Sequence, residues 1–167
     1  MLWNEPRIDM RLGESYIVAK SIMLKLSKKS DYALIALKHL AVHADEGSFS
    51  AADIAEFYGI SAPLMAKVLQ RLARVGIVTA RHGSSGGYTL ARDARLITAL
   101  EAIDAIDGPL SLTSCVTHHG DCDQSKTCTV KEPLRKVNNS ILAMLGKVTI
   151  SQIADDAPAS EVVELRI

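Results

Sequence analysis

Cys115, Cys122 and Cys128 stand in the pattern C-x6-C-x5-C inside the segment 114–129. Their neighbours are polar and turn-forming: Thr117, His118, His119, Gly120, Asp121, Asp123, Gln124, Ser125 and Lys126. A cysteine that serves as a small core filler sits among apolar side chains, and here only Val116 and Val130 are apolar. A polar loop that gathers three thiols can instead wrap a metal centre, because thiolate is the soft ligand of iron–sulfur clusters and of zinc. Spacing alone leaves three chemistries open. The thiolates could hold an iron–sulfur cluster. They could bind zinc, with His118 or His119 as the fourth ligand. They could also remain bare thiols that oxidise reversibly. An odd cysteine count excludes complete pairing within the chain, and in a reducing compartment such a set reads as ligands or redox thiols.

The elements that must position this loop are mostly helical. Ser27 can cap a helix in which Ala33, Leu37, Leu40 and Ala44 recur at three- and four-residue steps, ending at Gly47. Ser50-Ala51-Ala52-Asp53 is a capping box for a second helix, with Ile54 and Phe57 apolar, that stops at Gly59. Ser61 caps a third, with Pro63 in its first turn, running to Val75 and closed by Gly76. Two short helices about a glycine turn outline a helix-turn-helix. On the third helix Met65, Val68, Leu69 and Leu72 gather on one side and Lys67, Arg71 and Arg74 on the other. A solvated basic face would look the same in isolation, but the second helix of such a pair is the one that enters a major groove.

A hairpin follows. Ile77-Val78-Thr79-Ala80-Arg81 leads to Gly83-Ser84-Ser85-Gly86-Gly87, and Tyr88-Thr89-Leu90 returns. This makes a wing, with Arg81 and His82 at the approach to its tip, where an arginine can enter a narrow minor groove. The glycine run also fits G-x-S-x-G, the nucleophile elbow of serine hydrolases. That elbow needs a helix after it and a doubly wound sheet around it, whereas a strand follows here, so the match is formal. Beyond the wing, Leu96, Leu100 and Ile103 predict a helix closed by Gly108-Pro109. After the cysteines, Leu134, Val137, Ile141 and Leu145 form an apolar seam ending at Gly146, suited to pairing with a second copy.

The net charge is zero, yet residues 23–95 carry ten Lys or Arg against six Asp or Glu, and residues 96–167 carry six against ten. A basic front half and an acidic back half fit a nucleic-acid module followed by a part that does not touch nucleic acid. No apolar stretch approaches the roughly 18 residues of a membrane helix, and the N-terminus lacks a basic start followed by an apolar run. A cytoplasmic protein with no membrane partner and no enzymatic site is expected. The fold class read from these patterns is mainly α with a small β-wing: a winged helix-turn-helix plus a C-terminal dimerisation helix. Residues 1–22 read as an extension, poorly ordered or upstream of the true start. Residues 23–95 read as the DNA-binding domain. Residues 96–154 read as a linker helix, the cysteine loop and the dimerisation helix, and 155–167 as a tail.

From about Met23 to Ala154 the chain resembles the iron–sulfur-sensing winged-helix regulators typified by IscR and NsrR, the Rrf-two family. The resemblance is carried by Leu26-Ser27-Lys28-Lys29-Ser30-Asp31-Tyr32-Ala33-Leu34, by Gly59-Ile60-Ser61, by Gly86-Gly87-Tyr88-Thr89-Leu90, and by the three cysteines in the family's place. The opening and the loop look most like members that regulate SUF-type cluster-assembly operons. The resemblance implies a homodimeric repressor or activator acting at a double-stranded operator, with a 2Fe–2S or 4Fe–4S cluster on Cys115, Cys122 and Cys128. IscR-like members take a histidine three residues after the last cysteine, where this chain has Lys131, which is no ligand. NsrR-like members take an aspartate of the first helix from the other subunit. Asp31 matches that position, ahead of His118, His119 or Glu132, and leans the cluster towards 4Fe–4S. An ordinary first-turn carboxylate favoured by the helix dipole is the alternative role for Asp31. Implied DNA contacts fall on Ser61, Pro63, Leu64 and Lys67, with Arg81 at the wing. Lys28, Arg71, Ser84 and Ser85 complete the candidate set.

Overall fold

The structure, a computed structural model, describes residues 26–81, 83, 86–111 and 127–155. Helix α1 (Lys28–Val42) starts where the Ser27 hydroxyl accepts the Ser30 N–H at 3.1 Å. Ala33, Leu37 and Leu40 are buried at the spacing read from the sequence, with Ala36 beside them, whereas Ala44 is exposed beyond the helix. The helix stops short of the expected Gly47. His43 accepts the Glu46 N–H through its carbonyl at 3.0 Å, and its Nδ1 meets Glu46 Oε1 at 2.7 Å. The chain therefore tightens into a 3-10 turn, Ala44–Glu46, before Gly47 turns it away at φ 106°.

Helix α2 (Ala51–Phe57) is held by the predicted capping box: Asp53 N–H to Ser50 Oγ at 3.1 Å and Ser50 N–H to Asp53 Oδ2 at 2.9 Å. Ile54 is fully buried, but Phe57 is 67% exposed and is no core residue. Helix α3 (Ala62–Arg74) follows a turn whose Gly59 has φ 63°. Ser61 precedes α3 as expected, but it caps with its backbone: its carbonyl accepts the Leu64 and Met65 N–H groups at 3.0 Å, and its side chain makes no capping bond. Met65, Val68, Leu69 and Leu72 are buried, as their shared side requires.

Strands β1 (Val78–Arg81) and β2 (Gly87–Leu90) pair antiparallel, from Val78 opposite Leu90 to Arg81 opposite Gly87. Phe49 joins them: its N–H donates to Tyr88 O at 3.2 Å and its carbonyl accepts the Tyr88 N–H at 2.8 Å. A Cβ on Gly87 would lie 2.7 Å from the Phe49 carbonyl carbon, so this glycine is required by close approach. With strands on both sides of residues 83–87, the hydrolase elbow has no place.

Two expectations beyond the wing need correction. Leu96 belongs to a separate 3-10 turn, Ala94–Leu96, and is 67% exposed. Helix α4 (Ala99–Asp107) begins at Thr98, whose hydroxyl accepts the Glu101 N–H at 3.2 Å, and that competing cap moves the boundary. The chain also does not end its structure at helix α5 (Lys131–Leu145). A further helix, α6 (Ile150–Asp155), packs along α1 with Ile150 fully buried. It is anchored by Ala99 N–H to Val148 O and Ile150 N–H to Ile97 O, both 2.8 Å. One hydrophobic core runs through Leu37, Ile54, Leu69, Ile77, Ile97, Ala102 and Ile150, so residues on both sides of position 95 share it.

Candidate nucleic-acid interface and cysteine segment

The exposed side of α3 carries Lys67, Arg71 and Arg74, opposite the buried Met65–Leu72 side. Ser61 and Pro63 are exposed at its start and Leu64 is half-buried. Lys28 is exposed at the start of α1, and Arg81 is exposed at the end of β1. Ser84 and Ser85, with His82, lie outside the described residues. Lys29, which the sequence reading did not single out, joins Lys67 and Arg71 around a shallow recess floored by Leu64, Val68 and Ile106. No sequence rule separates Lys29 from Lys28; only the rotation of α1 against α3 does.

Arg71 differs from its neighbours. Its Nε–H donates to the carbonyl oxygen of Ala105 on α4 at 2.7 Å. A few residues on, Asp107 ties the same helix to α1: Ser27 Oγ donates to Oδ1 at 2.8 Å and Ser30 Oγ to Oδ2 at 2.7 Å. Ser30 is fully buried. Desolvation works to raise the Asp107 pKa, but the Ser30 and Ser27 hydrogen bonds, with a smaller pull from Lys29, outweigh it and hold the carboxyl below its usual range. Asp104 then accepts the Leu110 N–H at 3.2 Å, which fixes the chain where it leaves α4 towards the cysteines.

Of the cysteines, Cys128 is described: a half-buried free thiol just before α5. Cys115 and Cys122 lie outside the described residues, as do His118 and His119. Among the described residues no three His, Cys, Asp or Glu side chains gather as a metal site. Asp31 is exposed in the first turn of α1, and its N–H donates to Ser27 O at 3.1 Å. Three thiolates would be soft, charge-rich donors of the kind that iron and zinc take. Glu132, the alternative ligand, is bonded to Arg135.

The apolar residues of α5 differ in exposure. Val137 and Met144 are exposed, 50% and 68%, and Val130 precedes them at 56%. From the helix start, Val130, Leu134, Val137, Ile141 and Met144 succeed one another at steps of 4-3-4-3. Met144 is therefore more exposed than the expected Leu145, which is half-buried like Leu134 and Ile141. Such a/d spacing presents one continuous apolar edge.

A second cluster has no counterpart in the sequence reading. His39 is 4% exposed and is ringed by His43, Phe49, Phe57 and Tyr58, with centroids 4.5 to 5.6 Å away. Among the described residues neither of its ring nitrogens has a hydrogen-bond partner. Burial, and then His43, lowers its pKa, against weaker opposing pulls from Glu46 and Asp53.

A helix-turn-helix followed by a two-stranded wing, with a basic outer face on the second helix, defines a winged-helix DNA-binding protein. Residues 26–156 match the Rrf2 family, described as iron-dependent transcriptional regulators, and the chain belongs to that family. It is 30% identical to the HTH-type transcriptional regulator IscR of Xenorhabdus nematophila over 141 residues, 84% of this chain and 85% of that one. Among solved structures it is similar to IscR of T. potens, with 31% identity, a TM-score of 0.64, and coverage of 80% of this chain and 88% of that one. It is also similar to CymR, the global cysteine regulator of B. subtilis, with 27% identity, a TM-score of 0.67, and coverage of 81% and 99%. The mainly helical fold with its wing is thus that of the family, and the chain is a DNA-binding transcriptional regulator rather than an enzyme. Among the described residues no helix is long and apolar enough to cross a membrane.

Proposed function

We propose that this regulator is a homodimer that senses iron–sulfur cluster status through Cys115, Cys122 and Cys128 and controls cluster-assembly genes. The observation that carries the reading is the complete cysteine set, C-x6-C-x5-C, between α4 and α5 in a chain similar to IscR over most of its length. Asp31, exposed on α1, is the proposed fourth ligand, donated by the second protomer. The cluster, when bound, supplies a redox-sensitive charge that the chain's own helices read. The α5 stripe, exposed at Val130, Val137 and Met144, is the proposed dimer surface.

In this reading α3 enters the major groove. Ser61, Pro63, Leu64 and Lys67 meet the operator, Lys28 meets a phosphate, and Arg81, Ser84 and Ser85 engage at the wing. A second reading is favoured by the similarity to CymR, the global cysteine regulator of B. subtilis: the thiols would then act without iron. Anaerobic purification followed by an ultraviolet–visible spectrum and iron, sulfide and zinc analysis separates the two. Broad charge-transfer bands with matched iron and sulfide, lost in Cys128→Ala, support the cluster. A colourless protein that stays colourless after reconstitution sinks it, and bound zinc or a titratable thiol then names the replacement chemistry.

A further inference from the structure

Arg71 sits on the DNA-facing helix, yet its Nε–H is committed to the Ala105 carbonyl oxygen on α4 at 2.7 Å. We infer that Arg71 is a positioning residue: it sets the angle of α3 against α4 and so the affinity for the operator, without contacting DNA itself. The inference rests on α3 being the recognition helix, as proposed above. Three observations support it. The bond links elements 34 residues apart in sequence, so it fixes tertiary geometry and not local helix shape. Its acceptor lies in the last turns of α4, where Asp107 also grips Ser27 and Ser30 at the start of α1, so α4 is a fixed post against which α3 is braced. Lys67, one turn away on the same side and bordering the same recess, makes no such bond among the described residues and is exposed for a phosphate. The consequence is regulatory. The post that holds α3 is the helix that runs directly into the cysteine-bearing segment, with Leu110 fixed to Asp104 at the exit.

The test exploits an atom-for-atom coincidence. In glutamine, Nε2 lies the same number of bonds from the backbone as Nε of arginine, so Arg71→Gln keeps a donor at that place and removes the charge. Arg71→Met keeps the length and removes the donor. Operator binding of the full-length protein is measured across a salt series for both variants and for Lys67→Ala. If Arg71 braces α3, Arg71→Gln binds within about twofold of wild type. Arg71→Met weakens binding by at most about tenfold, the scale of one lost hydrogen bond. Both keep the wild-type slope of log K against log salt. If Arg71 instead touches a phosphate, both variants flatten that slope by about 0.9, and the inference is overturned. Equal weakening by the two variants at unchanged slope also overturns it, since the donor would then be irrelevant. Lys67→Ala reads the underlying proposal separately: an unchanged slope there removes α3 from the phosphate contacts whatever Arg71 does.

Discussion

Replacing Ser30 with alanine isolates one buried hydrogen bond between the first helix and α4. The hydroxyl is fully buried and donates to Asp107 Oδ2 at 2.7 Å. A hydrogen bond to a charged group contributes about 1.5–3 kcal/mol where water is excluded. The Asp107 side is exposed and retains Ser27 at 2.8 Å, so water can re-solvate Oδ2 and the lower end applies. We expect Ser30→Ala to cost about 1–1.5 kcal/mol, a fall of about 2–6 °C in Tm for a domain of this size. A double-mutant cycle with Asp107→Asn should return a coupling of about 1 kcal/mol by denaturant melts. The pH dependence carries the same sign. The Asp107 pKa is depressed in the folded state, so its contribution is present above the unfolded carboxylate pKa of about 3.9 and is lost as pH falls through the folded value. The Ser30→Ala penalty should therefore be present at pH 7 and shrink on acidification below about pH 4. Additivity of the two substitutions within about 0.3 kcal/mol, or a penalty independent of pH, would refute the reasoning.

Three further outcomes follow from the geometry. Met144→Glu places a charge in the exposed α5 stripe while leaving the core untouched, so sedimentation should show dissociation with an unchanged far-ultraviolet spectrum; a dimer that persists would assign the stripe elsewhere. His39→Phe should remove an acid-sensitive element. Because burial lowers the His39 pKa, the unfolded state takes up its proton first. Stability should be full above about pH 6.5 and decline from there as pH falls, and the variant should show a flatter decline in that window. Gly87→Ala drives a Cβ into the Phe49 backbone, so the hairpin must shift; we expect a loss of about 1–3 kcal/mol with weaker operator binding, and a melt identical to wild type would show the approach to be unimportant.

The helices were legible wherever a cap and a period agreed. Ser27 before Ala33-Leu37-Leu40, and Ser50 with Asp53, each give a start signal and a core stripe, and both elements form there. The wing was legible because β-branched residues flank a glycine run. Helix α6 was passed over although Thr149-Ile150-Ser151-Gln152 is itself a capping box: Gln152 N–H donates to Thr149 Oγ1 at 3.2 Å and Thr149 N–H to Gln152 Oε1 at 2.9 Å. Only six residues follow the cap, too few for a period to stand out. Leu96 misled because apolar spacing counts a residue without knowing that Asp93 accepts the Arg95 N–H at 2.8 Å and turns the chain there. In the seam, Met144 and Leu145 are equally apolar, and a one-residue choice between them rotates the face by about 100°.

The site residues divide along a physical line. Exposed cations on a helix face, such as Lys67, can be read from sequence because their partner is solvent or a ligand. Arg71 could not be distinguished from Lys67 in that way, because its acceptor is a backbone carbonyl 34 positions away and carbonyls carry no sequence signature. The same holds for Ser27 and Ser30, whose hydroxyls look like ordinary helix-start residues until Asp107 arrives from α4. Yet these backbone and hydroxyl contacts are what make α1, α3 and α4 one body. Rigid union of the DNA-facing helix with the helix entering the cysteine segment is the condition for a chemical change at the thiols to alter DNA binding. A hinge at position 95 would dissipate it. The shared core through Ile97, Ala102 and Ile150 removes that hinge, so α1, α3, α4 and α6 are one packed body on both sides of position 95.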